Sequence, residues 1–150
     1  MRVFSNLAEF TAAKGEQLGY SDWHEVTQEQ VNTFADATGD HQWIHVDAGR
    51  AAAGPFGTTI AHGFLTLAML PVLTHEIYRV EHLTMAVNYG LDRVRFPAPV
   101  PVGARIRAGA TLRDVKETSL GQLCYSRVIV EVDGQSKAAC VADTVTLLVG

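Results

Sequence analysis

The feature that most restricts this chain is a change of hydrophobic period at its middle. From Ile60 to Leu73 the residues are almost unbroken in their apolarity, and from Met85 onward they turn alternating and β-branched. Between Ile60 and Tyr78 the apolar positions fall all round a helix, which implies burial on most sides rather than a surface stripe. Pro71 removes one backbone donor and is expected to kink that helix. Behind it, Met85 to Phe96, Arg105 to Glu117, Gln122 to Val132 and Ser136 to Val149 read as strands, separated by proline and glycine turns. Arg93-Val94-Arg95-Phe96 and Arg105-Ile106-Arg107 alternate as half-buried antiparallel strands do. One buried helix, these four strands and an earlier one describe an α+β fold, an antiparallel sheet of five or more strands wrapped around a long central helix. Such a sheet leaves open edges and a solvent-facing side, so a homodimer is the expected way to cover them.

A chain of 150 residues is most simply one domain spanning 1–150, large enough for a real core. Its net charge of −4 provides no basic field, so neither nucleic acid nor a membrane surface is expected as a partner. Pro71, Thr74, His75 and Glu76 interrupt the longest apolar run before it reaches the roughly 18 residues of a membrane span. Glu9 and Glu16, with no long apolar core, argue against a signal peptide. Cys124 and Cys140 lack metal-ligand spacing and suit a reducing compartment. A cytoplasmic protein is expected.

Upstream, Asn6 to Lys14 reads as a short helix stopped by Gly15, and Leu18 to Val26 as a first strand. Thr27 to Gly39 is a second helix: Thr27 is a good N-cap, Gln30 sits at the capping-box position, and Gly39 is a C-terminal stop. That helix delivers the chain to a loop, Asp40 to Thr59, longer than most connections and dense in proton carriers (Asp40, His41, His45, Asp47). Asp40 and His45 would point about 140° apart on a helix. In an irregular segment they can converge on one water as a general acid–base pair; the bland alternative is a turn-capping Asp and a hydrogen-bonded structural His. At the far end stand Ile60-Ala61-His62-Gly63. A helix beginning there offers backbone N–H groups without partners, and Gly63 has no side chain to keep a carbonyl oxygen away. Otherwise Gly63 only permits close packing.

Ala37-Thr38-Gly39-Asp40, Ile44-His45 and Asp47, followed by Ile60-Ala61-His62-Gly63-Phe64, resemble the signature of the MaoC-like, (R)-specific enoyl-CoA hydratase family. The wording GDHQWIHVD is similar to its NodN-type branch, and Arg93 to Phe96 with Pro97 to Gly103 resembles the strand and turn that follow the family's helix. The resemblance implies a hotdog fold. It implies Asp40 and His45 as the catalytic pair, Gly63 as the oxyanion-binding amide, and syn addition of water to a trans-2-enoyl-CoA giving the (R)-3-hydroxyacyl-CoA, or the reverse. It implies no cofactor, since coenzyme A is part of the acyl-CoA thioester substrate. The family's usual Asn-Pro is replaced by Gln42-Trp43. These two, with His62 and Phe64, are the candidate substrate-binding residues.

Other readings compete. A hotdog acyl-CoA thioesterase would use the same oxyanion end with a carboxylate-activated water, and a non-catalytic acyl-thioester-binding protein would keep the fold alone. The pairing of Asp40 with His45 favours the hydratase. No metal is expected, because the His41–His45 spacing loses its meaning off a helix and no HExxH pattern supports it. Arg93, Arg95, Arg105 and Arg107 are read as a solvated strand face rather than as holders of CoA phosphates.

Overall fold

In the computed structural model, which describes residues 1–150, the late strands make up most of the sheet. Strand β5 covers Met85–Arg95, β6 Arg105–Glu117, β7 Gln122–Val132 and β8 Cys140–Val149. The earlier strands β2 (Gln17–Tyr20) and β3 (His24–Glu25) both pair with β6. The resulting six-stranded sheet runs β2-β6-β7-β8-β5 with β3 beside β2, and every pairing in it is antiparallel. Ile106, Ala108, Ala110 and Leu112 of β6 face inward beside Val128, Val130 and Val132 of β7, all buried. This is the alternation a one-sided sheet requires. The last strand begins at Cys140 rather than Ser136, and the expected first strand is two short pieces separated by a break at Ser21–Trp23.

The central helix differs from expectation. It starts at Gly63, not Ile60, and consists of α5 (Gly63–Ala68) and α6 (Leu70–Ile77) meeting at Met69. Ile60 forms a bridge with Pro101, and Ala61 donates to the Val100 carbonyl, so both are held in a strand-like crossing before the helix can begin. The break falls where Pro71 withholds an N–H from the preceding turn. Leu65, Leu70, Leu73 and Ile77 enter the core, but Phe64, Ala68 and Val72 are exposed. The sheet therefore wraps one side of this helix and leaves an apolar strip on the other.

Six further elements complete the frame. Helix α1 (Leu7–Ala12) is capped by Asn6, whose side chain accepts from the Glu9 amide, and α2 (Gln28–Thr38) is capped by Thr27 and ended by Gly39 at φ +82°. Both follow from their cap residues. A parallel pair, β1 (Arg2–Phe4) with β4 (Tyr78–Val80), had no alternation to reveal it. Phe4, Phe10 and Tyr78 pack edge-on and stacked around it. Burial pushes the Tyr78 hydroxyl up to about 12. The segment after α2 is not the open loop expected. It holds two short helices, α3 (Trp43–Val46) and α4 (Ala48–Ala52), the second capped by Asp47 accepting from the Arg50 amide.

Candidate active site

Asp40 follows the left-handed Gly39, outside any helix, while His45 is carried on α3. Because the helical register begins only at Trp43, the 140° divergence does not arise. A carboxylate oxygen of Asp40 and ring nitrogens of His45 and His62 all lie within 4.8 Å of one another. Asp40 is exposed, whereas His45 is 6% and His62 3% exposed. The site is a solvated acid set against two enclosed imidazoles.

The environment fixes the form of His45. Its Nδ1 lies 2.7 Å from the Ile60 carbonyl, and a carbonyl only accepts, so Nδ1 carries the hydrogen and Nε2 keeps the lone pair. Burial lowers its pKa below the ordinary histidine value; the Ile60 bond and Asp40 oppose that shift and His62 adds to it. A neutral imidazole with a free Nε2 at neutral pH is a competent base. Gln28 of α2 secures the helix that bears it, donating to the His45 carbonyl at 2.8 Å and accepting from the Thr59 hydroxyl at 2.6 Å. No local pattern in the sequence marks Gln28 or the Ile60 carbonyl, because both act on residues distant along the chain.

Gly63 opens α5, and its amide has no backbone acceptor within the chain. A cleft of about 330 Å³ lies beside it, with His45, Thr66, Phe56 and Phe96 among its walls. The Phe96 ring lies so close that a Cβ on Gly63 would meet it at 3.0 Å. Glycine lets the ring approach this closely, and a Cβ here would have to push it aside. Phe64 is 70% exposed and meets Phe96 edge-on.

Asp40, His62 and Phe64 are not among the walls of that cleft, and the remaining candidates lie away from it as well. Trp43 packs under the Arg50 guanidinium at 4.4 Å and against Gly54. Gln42 is exposed, its backbone N–H donating to the Asp40 carboxylate at 3.3 Å. His41 is exposed and bonded to Asp36 at 2.8 Å, which raises its pKa. Arg105 and Arg107 pair with Asp133 and Glu131, and Arg107 also covers the rings of Tyr20 and Trp23.

The MaoC like domain pattern matches residues 9–133. The chain belongs to the MaoC-like dehydratase family. It is 58% identical over 146 residues to the 3-hydroxyacyl-thioester dehydratase Z of Mycobacterium tuberculosis, covering 97% of either chain. It is 42% identical to Nodulation protein N of Rhizobium meliloti, covering 95% of this chain and 90% of that one. Among solved structures it is similar to the (R)-hydratase from A. caviae (TM-score 0.73, 20% identity, 90% of this chain and 96% of that one). It is similar also to R-hydratase PhaJ1 from Pseudomonas aeruginosa (TM-score 0.73, 18% identity, 91% and 81%). These neighbours carry the hotdog fold.

For a MaoC-like dehydratase, a hydro-lyase, the compact Asp40–His45–His62 group invites comparison with a metal site. The rings of His45 and His62 are stacked, with centroids 3.8 Å apart and planes at 24°. Stacked imidazoles direct their in-plane lone pairs side by side rather than at a common point, whereas a chelated ion needs convergence. Each ring also has one nitrogen facing a carbonyl, Ile60 for His45 and Asp40 for His62. The two cysteines are buried free thiols, pushed up by burial to about 12 at Cys124 and about 11 at Cys140. No helix is long and apolar enough to cross a membrane.

Proposed function

We propose that this MaoC-like protein adds water to trans-2-enoyl-CoA to give the (R)-3-hydroxyacyl-CoA, and removes it in reverse. The observation that carries this reading is the convergence of Asp40 and the neutral, buried His45 beside the partnerless amide of Gly63. Hydration puts enolate-like charge on the thioester oxygen, and an N–H at a helix start is worth most where such charge develops. A water between Asp40 and His45 loses a proton to the pair as its oxygen bonds to C3. The same pair returns a proton to C2, so both additions come from one face and the product is syn. The two groups share these protons as a coupled set. No cofactor is needed, because the thioester itself accepts the electron pair. Coenzyme A belongs to the substrate.

A second copy completes the molecule in this reading. The free edge strand β5 is eleven residues long and exposes Met85, Val87, Tyr89 and Leu91, the last sharing a cleft with Ala68 of α5 and Pro71 of α6. A long exposed apolar edge is the kind of surface a homodimer covers. Mass measurement at micromolar concentration is expected to give the dimer, and a monomer there would remove the claim.

The test of function is purified protein with crotonyl-CoA, followed by loss of enoyl absorbance and chiral separation of the product. The (R)-3-hydroxy isomer is expected. Release of free thiol without hydration would make the protein a thioesterase instead, and binding without either reaction would make it an acyl-thioester carrier.

A further inference from the structure

Three segments meet on the ring of His62. It precedes the first residue of α5, and its side chain lies between Phe34 of α2 (centroids 4.9 Å) and His45 of α3 (3.8 Å). Its Nε2 lies 2.9 Å from the backbone carbonyl of Asp40 and 3.9 Å from that residue's carboxylate. A carbonyl accepts only, so Nε2–H is the donor. The other nitrogen, Nδ1, is buried without any partner.

We propose that His62 is the positioning residue of the Asp40–His45 pair: its ring fixes the plane of His45 by stacking, and its Nε2–H holds the Asp40 backbone so that carboxylate and imidazole address one water. The inference rests on the reading of Asp40 and His45 as the acid–base pair. A phenylalanine would fill the same enclosed space without an unsatisfied nitrogen, and leaving a buried nitrogen unpaired is unfavourable. The imidazole is therefore explained by the one bond it makes, to the residue that bears the catalytic carboxylate. Little else restrains Asp40. Its amide meets the Thr38 hydroxyl at 3.4 Å and its carboxylate meets the Gln42 amide at 3.3 Å, both long. The titratable groups acting on His45 are Asp40 and His62 alone; Gln28 and Phe34 of α2 bring no charge.

Two variants divide the roles. His62→Phe keeps a stacked ring and removes the donor; His62→Gln keeps a donor of similar reach and removes the ring. Thermal melts establish that each is folded, and enoyl-CoA hydration is read as kcat and KM separately. His62→Phe is expected to lower kcat on the order of 10²-fold with KM nearly unchanged, as misplaced reacting groups do, and His62→Gln to recover part of that loss. In substrate-free protein, ¹⁵N-imidazole NMR titration of His45 is expected to shift in His62→Gln, where the ring is gone. Wild-type kcat in both folded variants, or a loss confined to KM, would overturn the proposal, as would a His45 titration that moves in neither. Should the wild type itself hydrate no enoyl thioester, the functional reading fails, and the NMR comparison still decides whether His62 positions His45.

Discussion

In β6, β7 and β8 the buried side chains are aliphatic or cysteine apart from Ser126, and most alternate with less buried ones. At the junction of α2, α3 and α5 they include His45, Thr59, His62 and Thr66. The sheet excludes water and so supplies stability through apolar burial. The junction encloses polar groups, tolerable because nearly all of them are bonded: His45 to Ile60, Thr59 to Gln28, His62 to Asp40. One region holds the fold together, and the other uses that rigidity to keep proton-moving groups within reach of one another.

The comparison is most exposed to breaking at Asp40 and His45. Asp40→Asn and His45→Gln should each lower hydration by about 10²–10⁴-fold, the range for a lost acid or base. Asp40 is exposed, so its variant should melt within about 0.5 kcal/mol of wild type. His45→Gln loses the buried bond to Ile60 and should cost about 1–3 kcal/mol. Wild-type rates in both would place the chemistry elsewhere. The reverse pattern is expected in the sheet. Leu112 is fully buried, and Leu112→Ala should cost about 2–5 kcal/mol of stability while the folded fraction keeps its kcat. A folded Leu112→Ala protein with a collapsed kcat would mean that core and site are not separable.

Gly63 stands on the border between the two regions and sharpens the contrast. An added methyl would press on the Phe96 ring at 3.0 Å, and that ring, 39% exposed, can swing aside. Gly63→Ala should therefore lower kcat roughly tenfold by displacing the amide, short of the ~10²–10³ expected on losing an oxyanion donor altogether. If melting temperature falls while kcat per folded molecule holds, Gly63 serves packing only.

The same division explains what the sequence disclosed. Strands β6 and β7 were legible to the residue because alternation and turn residues are local signals. The caps of α2 were legible for the same reason. The family signature drew attention to Asp40, His45 and Gly63, but not to the way they are held. Ile60 was expected to begin a helix, and its pairing with Pro101, forty-one positions away, is what delays that start. Helices α3 and α4 are too short for a hydrophobic period to register. β1 and β4 are three residues each and pair in parallel across about half of the chain. Apolarity around α5 and α6 implied burial on most sides, yet Phe64 and Val72 are exposed. Composition cannot separate a surface covered within the chain from one left for a second copy.

The smallest expected effect on rate distinguishes two histidines only four positions apart. His41 is exposed and held by Asp36, which raises its pKa; His45 is enclosed, and burial lowers its own. In an imidazole NMR titration His41 should therefore titrate above the ordinary value of 6.5 and His45 below it. Asp36→Asn should bring His41 down and leave His45 unmoved. If the base is His45, hydration rises as that residue loses its proton, so the acid limb of kcat/KM lies below pH 6.5 and does not shift in Asp36→Asn. The linkage to stability has a matching sign. The folded state binds a proton at His45 more weakly than the unfolded chain, so this residue's contribution is present above the unfolded value and lost as pH falls through the interval beneath it. An acid limb that follows His41 would instead make the exposed residue the base, and the enclosed His45 would then have no part in the reaction.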